Sequence, residues 1–111
     1  MKTTYLLTSI LITAFFSFNA LAEYIHLDEA KRRTEAATKL EDGEAVARIA
    51  TEAKTHAILA KIEKQPKVDN KHMDKGIKCL DDAGKEGNDG NTDAAHKAAR
   101  DALNHFKQAA K

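Results

Sequence analysis

The feature that most limits what this chain can fold into is an internal duplication. The phrase His26-Leu27-Asp28-Glu29-Ala30-Lys31 returns as His72-Met73-Asp74-Lys75-Gly76-Ile77-Lys78, and each copy opens an amphipathic stretch. Each stretch runs into an Asp/Gly-rich break, Glu41-Asp42-Gly43-Glu44 in the first and Gly87-Asn88-Asp89-Gly90-Asn91-Thr92-Asp93 in the second. A further segment follows each break and carries a matched phrase, Glu52-Ala53-Lys54-Thr55-His56 or Asp101-Ala102-Leu103-Asn104-His105. The opening halves align at an offset of about 46 positions and the closing halves at about 49, so the copies differ mainly by a longer second turn. One helical hairpin is written twice.

Ahead of the repeat stand Met1-Lys2, a mostly apolar run from Tyr5 to Phe18, and Ala20-Leu21-Ala22. One positive charge, an apolar run too short to span a bilayer comfortably and small residues at a cleavage site are the three parts of a secretory signal peptide. Cleavage is expected after Ala22, which leaves residues 23–111 as a periplasmic or secreted domain with no membrane segment. Without the leader the only aromatics are Tyr24 and Phe106, and no Ser or Trp remains. Losing Lys2 and no acid takes the formal charge from +1 to zero. Dense but balanced charge makes a solvated surface, not the basic footprint that nucleic acid requires. A chain of roughly ninety residues forms one small domain with a thin core.

Periodicity places four helices. The first is expected from Leu27 to about Leu40, with Leu27, Ala30, Thr34, Ala37 and Leu40 inward. Asp42-Gly43 should end it, Gly43 by a left-handed backbone and Asp42 by capping the next helix. The second runs from about Glu44 to Lys64, with Val46, Ile49, Ala53, Ala57 and Ala60 in one stripe and Ile58 and Ile62 beside it. Pro66 stops it, and the polar run Gln65 to Lys71 links the hairpins. The third begins near Asn70, capped by Asp69 or Asn70, with Met73, Ile77, Leu80 and Ala83 inward. Gly76 and Gly84 weaken it by about 1 kcal/mol each relative to Ala, making it the least stable of the four. The fourth runs from about Asp93 to the end, capped by Asn91 or Thr92, with Ala95, Ala98 or Ala99, Ala102, Phe106 and Ala109 inward. Short turns make neighbours antiparallel, so the expected fold is all-α: an up-down-up-down four-helix bundle of two hairpins, about 26–64 and 70–111.

That register gathers histidines. With turns centred near Asp42 and Asp89, His26 lies near the level of Leu59 and His72 near that of Phe106, while His56 and His105 fall close to the same levels. His26, His56, His72 and His105 therefore share one end of the bundle, and His96 lies elsewhere, facing approximately position 81. Imidazole nitrogen suits Cu(II), Ni(II) and Zn(II). Asp28 and Asp74 stand two residues from their histidines, as ligands, as partners of a ligand or simply as acids at a helix start. The plain alternative is four exposed histidines near helix ends. Cys79 is the single cysteine and cannot close a disulfide within the chain. It is a free thiol, a bridge between chains, a buried inert thiol or a soft ligand, and with His72 or His96 it forms a candidate Cu(I) pair.

The phrases His26-x-Asp28-Glu29-Ala30, Gly76-Ile77-Lys78-x-Leu80-Asp81-Asp82-Ala83-x-Lys85-x-Gly87 and Ala102-Leu103-x-His105 resemble the small metal-binding protein (SmbP-like) family. The resemblance spans His26 to about Phe106. It implies an exported, histidine-rich four-helix bundle that takes up divalent metals such as copper and nickel. In that family histidines recur about every seven residues along each helix. Here the corresponding positions hold Arg33, Leu40, Ile49, Cys79, Glu86 and Ala98, so this is a histidine-depleted relative with fewer expected sites.

Other classes fit less well. Haem is not expected: the first helix has no Met to oppose a histidine of the last, no Cys-x-x-Cys-His occurs, and an alanine core offers little contact. Nor is an enzyme expected, because serine triads have no serine, Cys79 has no assigned base and the glycines form no phosphate-cradling motif. The remaining alternative is a metal-independent periplasmic interaction or stress-response bundle whose histidine stripe has decayed.

Overall fold

The computed structural model describes residues 25–63 and 68–110. The leader with its expected cleavage after Ala22, and the expected stop at Pro66, lie outside them. Four helices make up the described residues, with no strand among them: α1 (Ile25–Ala37), α2 (Gly43–Ile62), α3 (Asn70–Asn88) and α4 (Thr92–Ala109). Each packs on the next and α1 packs on α4, which closes the bundle. Ion pairs across the grooves show the antiparallel run: Lys54 to Asp81 and Lys61 to Asp74 join α2 to α3, with one residue number rising as its partner's falls. The expected all-α, up-down-up-down bundle is what forms.

The duplication reaches into the core. Leu27, Ala30, Thr34 and Ala37 of α1 correspond, at the offset of the repeat, to Met73, Gly76, Leu80 and Ala83 of α3, and all are buried. Val46, Ala50, Ala53, Ala57 and Ala60 of α2 correspond in the same way to Ala95, Ala99, Ala102, Phe106 and Ala109 of α4, again all buried. Alanine in so many of these places lets the helices approach closely, so the core is thin but filled by backbone as well as side chains. The one buried polar side chain among the described residues, Thr34, donates its hydroxyl to the Ala30 carbonyl at 2.6 Å.

Several local expectations change. The first helix stops at Ala37, because the amides of Lys39 and Leu40 turn back to the carbonyls of Ala36 and Ala37 in a tightened last turn. Leu40 is accordingly half-buried. Gly43 is not a left-handed terminator but the first residue of α2, and its role is close approach: a Cβ there would stand 2.6 Å from the Gly87 carbonyl oxygen. Gly87 lies in α3 rather than in the turn, facing the Gly43 carbonyl in return. The left-handed residue is Gly90, at φ 83°.

Of the caps, Asp69 accepts from the Lys71 amide at 2.9 Å, as expected, whereas Asp42 and Asn91 hold the N-cap positions of α2 and α4 without a side-chain cap. Asn91 instead donates its side-chain amide to Glu86 at 2.9 Å across the turn. Inward facing also differs beyond Leu40. Ile49 and Ile77 are half-buried at the edge of the core, and Gly76 takes a central position under the Phe106 ring.

Candidate metal centre

Each of the four histidines at the shared end directly precedes a buried residue: His26 before Leu27, His56 before Ala57, His72 before Met73 and His105 before Phe106. A helix turns about 100° per residue, so a side chain one step before a core residue stands at the edge of the groove. In a hairpin the two grooves meet. The result is two pairs. His26 Nδ1 lies 3.2 Å from His56 Nδ1 across the α1/α2 groove, and His72 Nδ1 lies 3.4 Å from His105 Nδ1 across the α3/α4 groove.

The ring centroids are 5.5 and 5.6 Å apart with interplanar angles of 27° and 29°. Because the nitrogens are much closer than the centroids, each pair turns its Nδ1 atoms toward one another and its ring bodies away. All four rings are half-buried, open to solvent on one side. Their donor set fits a transition metal ion. With metal–nitrogen bonds of about 2.0–2.1 Å, two imidazoles on one tetrahedral ion have nitrogens about 3.3 Å apart. The observed separations of 3.2 and 3.4 Å bracket that value. Each pair supplies two ligands, and among the described residues no group of three or more His, Cys, Asp or Glu converges. The other positions on an ion would fall to water or a small ligand.

Carboxylates stand behind the rings rather than between them. A Glu63 oxygen is 3.1 Å from His26 Nε2, and an Asp69 oxygen is 3.8 Å from His72 Nε2. The acids suggested by sequence are engaged elsewhere, Asp28 with Lys31 at 3.4 Å and Asp74 with Lys61. Glu63 had a signal in the sequence: it follows His56 by one heptad and so returns to the same groove.

The structure does not bring the remaining candidates to these pairs. His96 points its Nε2 at the Leu40 carbonyl near the opposite, turn-bearing end and ties α4 to the α1/α2 loop. Cys79 is a half-buried free thiol in α3. Burial pushes its pKa up, the Asp101 and Asp82 carboxylates add to that, and Lys78 and Lys97 offset part of it. The thiol form is thus favoured at neutral pH, whereas a soft-metal ligand needs thiolate. One heptad beyond His26 the groove is closed by an ion pair, Arg33 to Glu52 at 2.7 Å.

No helix among the described residues is long and apolar enough to cross a membrane. In comparison with known proteins, the sequence model of a family described as small metal-binding protein matches residues 1–109. No curated protein and no solved structure matches the chain.

Proposed function

From the premise that this chain belongs to the small metal-binding protein family, we propose that it binds copper or nickel, or zinc, as divalent ions through its two histidine pairs. The observation that carries the reading is the approach of Nδ1 to Nδ1 in both hairpins at separations suited to shared ligation of one ion. Half-exposed imidazoles on a surface groove, with open coordination positions, suit reversible uptake, so the proposed role is storage, sequestration or delivery rather than catalysis. The leader, residues 1–22, supports an exported, periplasmic or secreted setting for that role.

A metal-independent interaction bundle is the second reading. It is favoured by the Arg33 to Glu52 ion pair, which fills with ordinary surface structure a level where a histidine would extend the stripe. Thermal melting of the mature chain separates the two. Ligands that the folded bundle brings together are scattered in the unfolded chain, so metal at a hundredfold the dissociation constant of one pair stabilises by about 2.7 kcal/mol through that pair and raises the melting temperature by about 10–20 °C, the second pair adding to this as it fills. The His56→Ala/His105→Ala variant should lose that rise. Ligation needs neutral imidazole, so the rise should also shrink toward acid pH as protons compete for the nitrogens. A melting temperature indifferent to Cu(II), Ni(II) and Zn(II) would favour the interaction bundle.

A further inference from the structure

The two pairs differ on the far side of their rings. At His26 the outward nitrogen has a carboxylate oxygen of Glu63 at 3.1 Å, within hydrogen-bonding distance. At His72 the corresponding nitrogen is 3.8 Å from Asp69, too far for that acid to fix where the ring carries its proton. Asp69 is also occupied: its other oxygen accepts from the Lys71 amide to cap α3, and its own amide donates to the Ala109 carbonyl at 2.9 Å. Glu63 sits just past α2, at its C-cap, and its side chain reaches back across the groove to the first turn of α1.

A carboxylate beside Nε2 favours the proton on that nitrogen and leaves Nδ1 with a bare lone pair. In His26 that lone pair faces His56. We infer that Glu63 is a positioning residue that prepares the His26/His56 pair to take a divalent transition metal ion first, with the His72/His105 pair filling second. The inference deepens the metal-binding reading and rests on it.

In the metal-free protein the His56 Nδ1–H then donates to His26 Nδ1 across the 3.2 Å gap. A metal ion takes the place of that shared hydrogen when the His56 ring carries its proton on its own Nε2 instead. Both imidazoles stay neutral, and no other group has to give up a proton. The second pair lacks this hold on His72. Its rings must adopt the ligating arrangement as the ion arrives, and affinity falls by the fraction of time they spend in it.

The test uses the mature chain and has two readouts. Long-range nitrogen–proton NMR without metal reads which ring nitrogen carries the proton. The expected result is a proton on Nε2 of His26 and a mixture at His72. Zn(II) alone, as a diamagnetic probe, then reports the filling order through the ring signals: His26 and His56 respond first. Glu63→Ala should mix the His26 tautomers and weaken the first site by about 10–100-fold, leaving the second unchanged. Glu63→Gln keeps an oxygen acceptor and should recover part of the loss. A proton on Nδ1 of His26, parallel filling of the two pairs, or Glu63→Ala binding like the parent would each overturn the inference. Zn(II) reaching neither pair would instead overturn the metal-binding reading, while the tautomer of His26 would still decide what Glu63 does.

Discussion

The two hairpins solve one packing problem in two ways. Where the α1/α2 hairpin sets Ala30 and Ala57, the α3/α4 hairpin sets Gly76 and Phe106 at the corresponding positions, all buried. One copy divides the space between two methyl groups. The other removes a side chain altogether and fills the gap with a ring, and a Cβ restored at Gly76 would stand 2.7 Å from the Phe106 Cδ1 atom. A similar divergence appears one heptad from the histidines. Arg33 pairs with Glu52 in the first copy, while in the second Cys79 and Asp101 hold those positions. Against those changes, the histidine pair at the shared end is kept in both copies with nearly the same geometry. Within one chain, several matched core and middle positions differ while the paired imidazoles are the same in both copies.

The largest expected effect comes from breaking the second packing solution. Phe106→Ala should cost about 3–5 kcal/mol, a large share of the stability of so small a domain, because the cavity has only backbone on its Gly76 side. Gly76→Ala alone should cost about 1–3 kcal/mol by overpacking. Combined with Phe106→Ala it should help, since it rebuilds the first hairpin's arrangement and adds helix propensity. Denaturant unfolding of the four proteins in this cycle measures the coupling. Additive effects would show that the ring and the glycine are not matched.

A smaller effect of opposite sign is expected at Gly84. A Cβ there meets nothing within 4 Å, so Gly84→Ala should stabilise α3 by about 0.5–1 kcal/mol, read as a higher denaturation midpoint. The smallest difference concerns Cys79. Its raised pKa means that the thiolate appears only at higher pH than for a free thiol. Alkylation of the folded protein should be slow at neutral pH, should rise with a midpoint displaced upward, and should reach ordinary rates on unfolding. One thiol per chain should be counted.

These differences also mark where sequence reading stops. The helical stripes were legible because apolar and small residues recur at helical spacing, and the residues they placed inward, from Leu27 to Ala109, are with few exceptions buried. At Gly43, Gly76 and Gly87 local propensity points the wrong way, because it treats a helical glycine as a weakness or a stop. Only the neighbouring helix shows that the missing Cβ is the point of contact. The shared end of the histidines was legible from helix direction. Which imidazole meets which was not, because a one-residue change of register rotates a side chain by about 100°. Glu63 is hard to assign from sequence because it stands at the C-cap of α2, where helical spacing no longer says which way a side chain reaches.

The central claim is that metal sits on the two histidine pairs, and the number of ions bound tests it most directly. In a calorimetric titration of residues 23–111 with Cu(II) or Ni(II), we expect two equivalents in the parent and one in either His56→Ala or His105→Ala. The double variant should bind none at comparable affinity, and His96→Ala should match the parent. A double variant that still binds as tightly as the parent would contradict the account and move the site to Cys79, His96 or the N-terminal amine.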